Sequence, residues 1–146
     1  MANDKAFQIK NGLVVGNTSI INSSGVWIGT PPTKDTFTFG GSGVPVTGNA
    51  MTSYVRVMSN CVCVSASLIL KTAPTGGNCV MRIMRSSNSG NTFPDNVVDL
   101  NAVAGTKIGT NNTTVVLTTG DFLRLDITAV NTASDWTVQL HTTGAL

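Results

Sequence analysis

From residue 54 to the end of the chain, apolar and polar side chains alternate in short runs, and most runs stop at Gly, Asn, Pro or Ser. Alternation with a period of two puts successive side chains on opposite faces of a strand. In "YVRVMSNCVCVSASLILKT" (residues 54–72) the second half alternates cleanly. Val62, Val64, Ala66, Leu68 and Leu70 are expected on one face, with Cys61, Cys63, Ser65, Ser67 and Lys71 on the other. "TAPTGGN" is a turn signal, since Pro presets φ and Gly accepts a positive one. "CVMRIMRS" then reads as the return strand of a hairpin, with Cys79, Met81 and Ile83 opposite Val80, Arg82 and Met84.

Further on, "SSNSGNTFPDN" is a polar loop, and "NVVDL" and "TKIGTNNTTVVLTTG" supply two more strands, the second broken at Gly109 and Asn111-Asn112. "DFLRLDITAV" sets Leu123, Leu125 and Ile127 against Phe122, Arg124 and Asp126. "DWTVQLHTTG" turns Trp136, Val138 and Leu140 inward and Thr137, Gln139 and His141 outward. Short strands at roughly ten-residue spacing predict an antiparallel β-sandwich, in its jelly-roll version a pair of packed sheets.

Ahead of this body lies a different pattern. "FQIKNGLVVGNTSIINSSGVWIG" (residues 7–29) offers the pieces "AFQIK", "LVV", "TSII" and "VWI", with an Asn-Gly hairpin signal at 11–12 and breaks at Gly16-Asn17 and residues 22–25. Its apolar side chains occupy both faces, and an isolated ribbon of this size is marginal in water. The Pro-, Gly- and Thr-rich stretch "TPPTKDTFTFGGSGVPVTGNAMTS" follows, in which "TFTF" forms a short strand and "GGSGVPVTG" a loop. The expected division is an extended β-hairpin arm over residues 1–35, made for assembly contacts, and a sandwich body over residues 36–146. The arm would bury Phe7, Ile9, Leu13, Val15, Ile20, Val26, Trp27 and Ile28 against a partner. At about 1.5–3 kcal/mol for each large side chain, that gross gain is on the order of 10 kcal/mol before ordering costs.

Composition sharpens the all-β expectation. Among 146 residues there is no Glu, charged residues make up 11%, and β-branched Val and Ile far outnumber Leu at the aliphatic positions. The net charge of +2 is scattered, with no basic stripe interleaved with aromatics, so a nucleic-acid groove is not expected. No run approaches the ~20 apolar residues of a membrane-crossing helix, and "MANDKAFQIK" lacks the pattern of a signal peptide. Cys61, Cys63 and Cys79 are odd in number and closely spaced, which argues for buried free thiols in a reducing compartment rather than a disulfide framework.

Catalytic chemistry has little to work with. His141 is the only histidine, and pairing it with Asp126 or Asp135 would still leave no nucleophile motif. "SSNSGNTFPDN" has oxygen side chains but not the spacing of a calcium loop, and no phosphate-cradling glycine motif occurs. The expectation is therefore a protein that is not an enzyme, with no metal and no cofactor. Thr-rich outer faces either bind carbohydrate or pack beside copies of the same chain; the 5% aromatic content favours packing.

These residues carry a resemblance. "FQIKNGLVVGNTSIINSSGVWIG" resembles a stretch of structural proteins from tailed bacteriophages, especially marine phages and cyanophages. "LKTAPTGGNCVMRIMRS", "TTGDFLRLDIT" and "WTVQLHTTG" look like the sandwich of head-decoration and tail-fibre proteins, while Cys79 and the methionines are peculiar to this chain. The resemblance implies a decoration (cement) protein made in the bacterial cytoplasm and carried on the outer head surface of the virion. Its implied partners are the major capsid protein and copies of itself, as a trimer in preference to a dimer, without nucleic acid or membrane. A tail-fibre, spike or host-glycan-binding module is the alternative the same resemblance allows.

Overall fold

In a computed structural model, residues 13–15, 18–21 and 34–144 are described. The chain divides into two compact units, Met1–Pro32 with Leu146, and Thr33–Ala145. In the first, β1 (Leu13–Val15) pairs antiparallel with β2 (Thr18–Ile21), so "LVV" and "TSII" form a hairpin around residues 16–17. The Asn-Gly turn expected at 11–12 lies outside the described residues.

Eight strands make the second unit: β3 (Lys34–Gly41), β4 (Val55–Arg56), β5 (Cys61–Thr72), β6 (Cys79–Ser86), β7 (Asp95–Ala102), β8 (Ile108–Leu117), β9 (Phe122–Ala129) and β10 (Ser134–Gly144). They form two four-stranded antiparallel sheets, ordered β3-β10-β5-β8 and β4-β9-β6-β7. After β4 the chain crosses between the sheets at every step except β6–β7, which pair side by side, in the winding of a jelly roll, the architecture expected from the strand spacing.

Two local expectations are corrected. The stretch around residues 73–78 does not close a hairpin: β5 pairs with β10 and β8, whereas β6 pairs with β9 and β7. The turn chemistry is real, with Gly76 at φ 77°, but it serves a corner that carries the chain from one sheet to the other. A corner and a hairpin use the same residues, so local sequence does not distinguish them. The second correction concerns β5, in which Val64 is an extra residue against β10: Ser65 and Cys63 face the consecutive residues His141 and Thr142. The extra residue of this β-bulge inverts the alternation upstream of it. Cys61 and Cys63 therefore point into the core beside Ala66, Leu68 and Leu70, and Val62 and Val64 point outward. The predicted break in β8 is likewise a change of register within one continuous strand.

The other face assignments stand. Met81, Ile83, Leu123, Leu125, Ile127, Trp136, Val138 and Leu140 are buried, and they join Leu68, Leu100 and Leu117 in one hydrophobic cluster drawn from both sheets. Apolar burial at about 1.5–3 kcal/mol for each large side chain outweighs the partly exposed ion pairs, whose typical worth is below about 1 kcal/mol.

One edge of the sandwich is closed where β7 meets β8. Thr113 Oγ1 donates to the Val97 carbonyl and Asn111 Nδ2 to that of Asp99, both at 3.0 Å. Gly109 is required there because a Cβ would lie 2.5 Å from the Asn101 carbonyl oxygen. Arg85 ties the end of the two sheets together: its Nη1 donates to Val116 O at 2.7 Å while Nη2 meets Asp95 Oδ2 at 2.7 Å. A Gly109→Ala substitution should therefore cost about 1–3 kcal/mol, the usual penalty for inserting a methyl where backbone must move. Urea unfolding of the two proteins measures it; an unchanged midpoint would contradict the closed edge.

Candidate functional site

Extending the register across β3, β10, β5 and β8 gives four rows on the outer face of that sheet. Gly40, Thr137, Ile69 and Ile108 form the first, and Thr38, Gln139, Ser67 and Thr110 the second. Thr36, His141, Ser65 and Asn112 follow, and then Lys34, Thr143, Val62 and Val116. Lys34, at one corner, is the single charged residue in this field. Two apolar groups stand at opposite ends: Ile69 with Ile108, 41% and 61% exposed, and Val116, 55% exposed, beside Val62 and Val64. Hydroxyl and amide side chains fill the space between.

The outer face of the opposite sheet has a different character. Arg82 pairs with Asp99, and Arg124 with Asp126 at 2.8 Å. The Arg124 guanidinium also lies 4.4 Å from the centre of the Phe93 ring, which packs on Tyr54 at 4.9 Å. Asp126 accepts the Ala50 N–H at 2.8 Å, so its carboxylate has structural work on both oxygens. Two of the described charge pairs lie on this face, whereas the four rows of the other face lie between the Lys71–Asp135 pair beyond Ile69 and Thr137 and Lys34 at the far corner, a difference no count over the whole sequence reveals.

At the β5 bulge the neutral face dips. Asp35, Thr36, Val64, His141, Thr142 and Thr143 line a dent of about 390 Å³. The Thr142 hydroxyl donates to Asp35 O at 3.0 Å, which satisfies a buried polar atom. His141 Nδ1 is 3.4 Å from the Thr36 hydroxyl and shares a sheet face with Ser65 and Gln139, in line with the polar-partner reading. Asp126 is on the other sheet, and Asp135 accepts Gly43 N–H at 2.7 Å and meets Lys71 at 3.6 Å. The backbone N–H of Gly43, aided by Lys71, holds the Asp135 carboxyl below its ordinary range. No triad assembles from these groups.

The loop after β6 is organised by its own side chains. Ser86 Oγ accepts the N–H groups of Asn88 and Gly90, and Asn88 Oδ1 accepts that of Thr92. Oxygens committed to backbone N–H groups are not free to converge on a cation, and no group of three or more His, Cys or Asp side chains gathers among the described residues.

Of the predicted partner-binding residues, Phe7, Ile9, Val26, Trp27 and Ile28 lie outside the described residues. Leu13, Val15 and Ile20 lie on the β1–β2 hairpin, where only the backbone pairing is described. The sequence reading located the Thr137, Gln139 and His141 side of β10, but it missed the two apolar ends. The bulge hid Val62 and Val64, and the pairing of Ile69 with Ile108 is non-local.

No family model matches this chain, and no curated protein matches it in sequence. Among solved structures it is similar to Eiger TNF from S. frugiperda, with a TM-score of 0.51 and 12% identity over 80% of this chain and 96% of that one. It is also similar to the globular domain of zebrafish complement 1qA protein, with a TM-score of 0.45 and 12% identity over 80% and 98% of the two chains. At this identity the first likeness supports the jelly-roll fold and says nothing further about this chain.

All three cysteines are buried and free. Burial pushes the Cys63 thiol up to about 12, with a smaller push from Cys61, and raises Cys61 and Cys79 as well. A thiol raised in the folded state adds stability that is intact below its unfolded pKa and is lost as pH climbs past it. Stability should therefore be level from pH 7 to 8 and fall as the pH rises beyond about 9. Denaturant midpoints across this range, with a Cys63→Ala comparison that flattens the slope, provide the check. A thiol reagent should react only on unfolding.

Proposed function

We propose that this chain works by assembly rather than by catalysis, as a virion structural protein whose neutral sheet face meets copies of itself. The observation that carries this reading is the set of four rows on the outer face of β3-β10-β5-β8, charged only at Lys34 and apolar at both ends, with the Lys71–Asp135 pair lying beyond them. Hydroxyl and amide groups lose little when they exchange water for one another across an interface, whereas unpaired charges lose several kcal/mol. Depletion of charge at the centre is also what marks the core of protein interfaces.

Two separated apolar groups on one face favour a ring over a two-fold pair, because each copy then presents different patches to two neighbours. A trimer is the smallest such ring. The virion setting rests on the sequence resemblance: the chain would decorate the outer surface of a tailed-phage head beside the major capsid protein, with residues 1–35 supplying apolar contacts across capsomer joints. Added buried area at those joints resists the pressure of packaged DNA.

The purified chain should run as a trimer in size-exclusion chromatography with light scattering. Gln139→Lys, which puts a charge in the middle of the neutral rows, should release monomer with an unchanged circular-dichroism spectrum. A monomeric parent protein at high micromolar concentration, or a variant that stays trimeric, would sink the self-assembly reading. Separately, deleting residues 1–30 should lower occupancy on purified heads, and undiminished occupancy would remove the decorating role.

A further inference from the structure

At one end of the sandwich, beyond the fourth neutral row, an open cleft of about 630 Å³ lies between β4, the loop after β6 and the turn joining β8 to β9. Its wall includes Arg56, Ser87, Ser89, Thr118, Asp121 and Phe122. The groups differ sharply in how far the protein already uses them. Asp121 is 5% exposed; its Oδ2 accepts the Thr118 N–H at 2.8 Å and lies 4.0 Å from Arg85 Nη1. Its charge is compensated within the fold.

Arg56 has no such compensation. Among the described residues it has no carboxylate within ion-pair distance and no side-chain hydrogen bond, although the other described arginines are all paired. The hydroxyls of Ser87, Ser89 and Thr118 are equally without partners among the described residues. Their placement is nevertheless fixed. The Ser86–Asn88 network holds the loop, Ser89 sits in the left-handed region at φ 62°, and Gly90 follows at φ 83°. A non-glycine residue held at positive φ costs about 1 kcal/mol or more and persists only where its surroundings impose it. The ring of Phe122, half-buried beside Gly90, adds an apolar surface.

From this arrangement we infer that the cleft binds a carboxylate-bearing saccharide, of the uronic or sialic type. A single unpaired guanidinium matches one carboxylate in a two-pronged hydrogen bond. Three free hydroxyls suit sugar hydroxyls, which need partners that both donate and accept. The Phe122 ring suits the C–H face of a pyranose. A phosphate site would instead gather several cations or backbone N–H groups on one anion, and this cleft presents one cation amid hydroxyls. The volume accommodates more than one sugar ring. Because none of these residues belongs to the neutral rows, the inference stands apart from the self-assembly reading and fails or holds separately.

The experiment titrates the full-length, ¹⁵N-labelled protein with a galacturonate tetrasaccharide at millimolar concentration, in parallel with the neutral galactose tetrasaccharide and inorganic phosphate. The acidic sugar should shift the amides of residues 56, 87–90 and 118–122. The neutral sugar and phosphate should bind at least about tenfold more weakly. Arg56→Gln should weaken acidic-sugar binding by a similar factor, and Ser87→Ala by less, with spectra otherwise unchanged because both side chains are exposed. Absent shifts, equal shifts from the neutral sugar, equal shifts from phosphate, or full binding by Arg56→Gln would each overturn the inference.

Discussion

The apolar cluster shared by the two sheets is the constraint from which the remaining structure follows. Each sheet has one face that cannot remain in water, with Leu68, Leu70, Val138 and Leu140 on one side and Met81, Ile83, Leu123 and Leu125 on the other. Burying them together leaves every strand with one face inside and one outside. With short strands and few charges, the molecule then decides its surface chemistry by which residues alternate with the buried ones. On β9 and β6 those are Arg124, Asp126 and Arg82; on β10 and β5 they are Thr137, Gln139, Ser65 and Ser67. Two faces of opposite character result from one period-two rule.

The ends and edges need separate solutions. A methyl-free residue at Gly109 lets β8 approach β7, and side-chain donors from Thr113 and Asn111 take up carbonyls that the edge would otherwise expose. Arg85 continues the inward-facing side of β6 past the apolar cluster, where its long side chain reaches Asp95 and the Val116 carbonyl. The loop after β6 is held separately, by the hydrogen bonds of Ser86 and Asn88, and Ser89 within it keeps a positive φ and forms part of the wall of the Arg56 cleft.

Chemistry is distributed accordingly. Buried thiols raised by desolvation are inert fillers of the core, and the carboxylates of Asp95, Asp99, Asp121, Asp126 and Asp135 are occupied by arginine, lysine or backbone N–H partners. Among the described residues, two regions keep exposed groups open to a partner: a hydroxyl- and amide-rich sheet face and the Arg56 cleft. Both are suited to recognition, the first of another protein surface and the second of a ligand anion. The two regions share no residues, so a subunit could hold its neighbours with one and still present the other.

The amino-acid sequence by itself determined the all-β class, most strand positions and the inward sides of β6, β9 and β10, because alternation is a local property and needs no partner to be read. It also disclosed that the cysteines are unbridged, and the polar side of β10, whereas the burial of Cys61 and Cys63 came from the bulge. Tertiary structure decided the remainder. The 73–78 turn became a corner because β5 and β6 each lower their energy by facing across the core rather than lying side by side, a choice that depends on strands far along the chain. The bulge at Val64 inverted β5 because strand register is settled by two flanking partners. The neutral rows and the Arg56 cleft are likewise collected from segments up to a hundred residues apart, and only folding gives such groups a common surface.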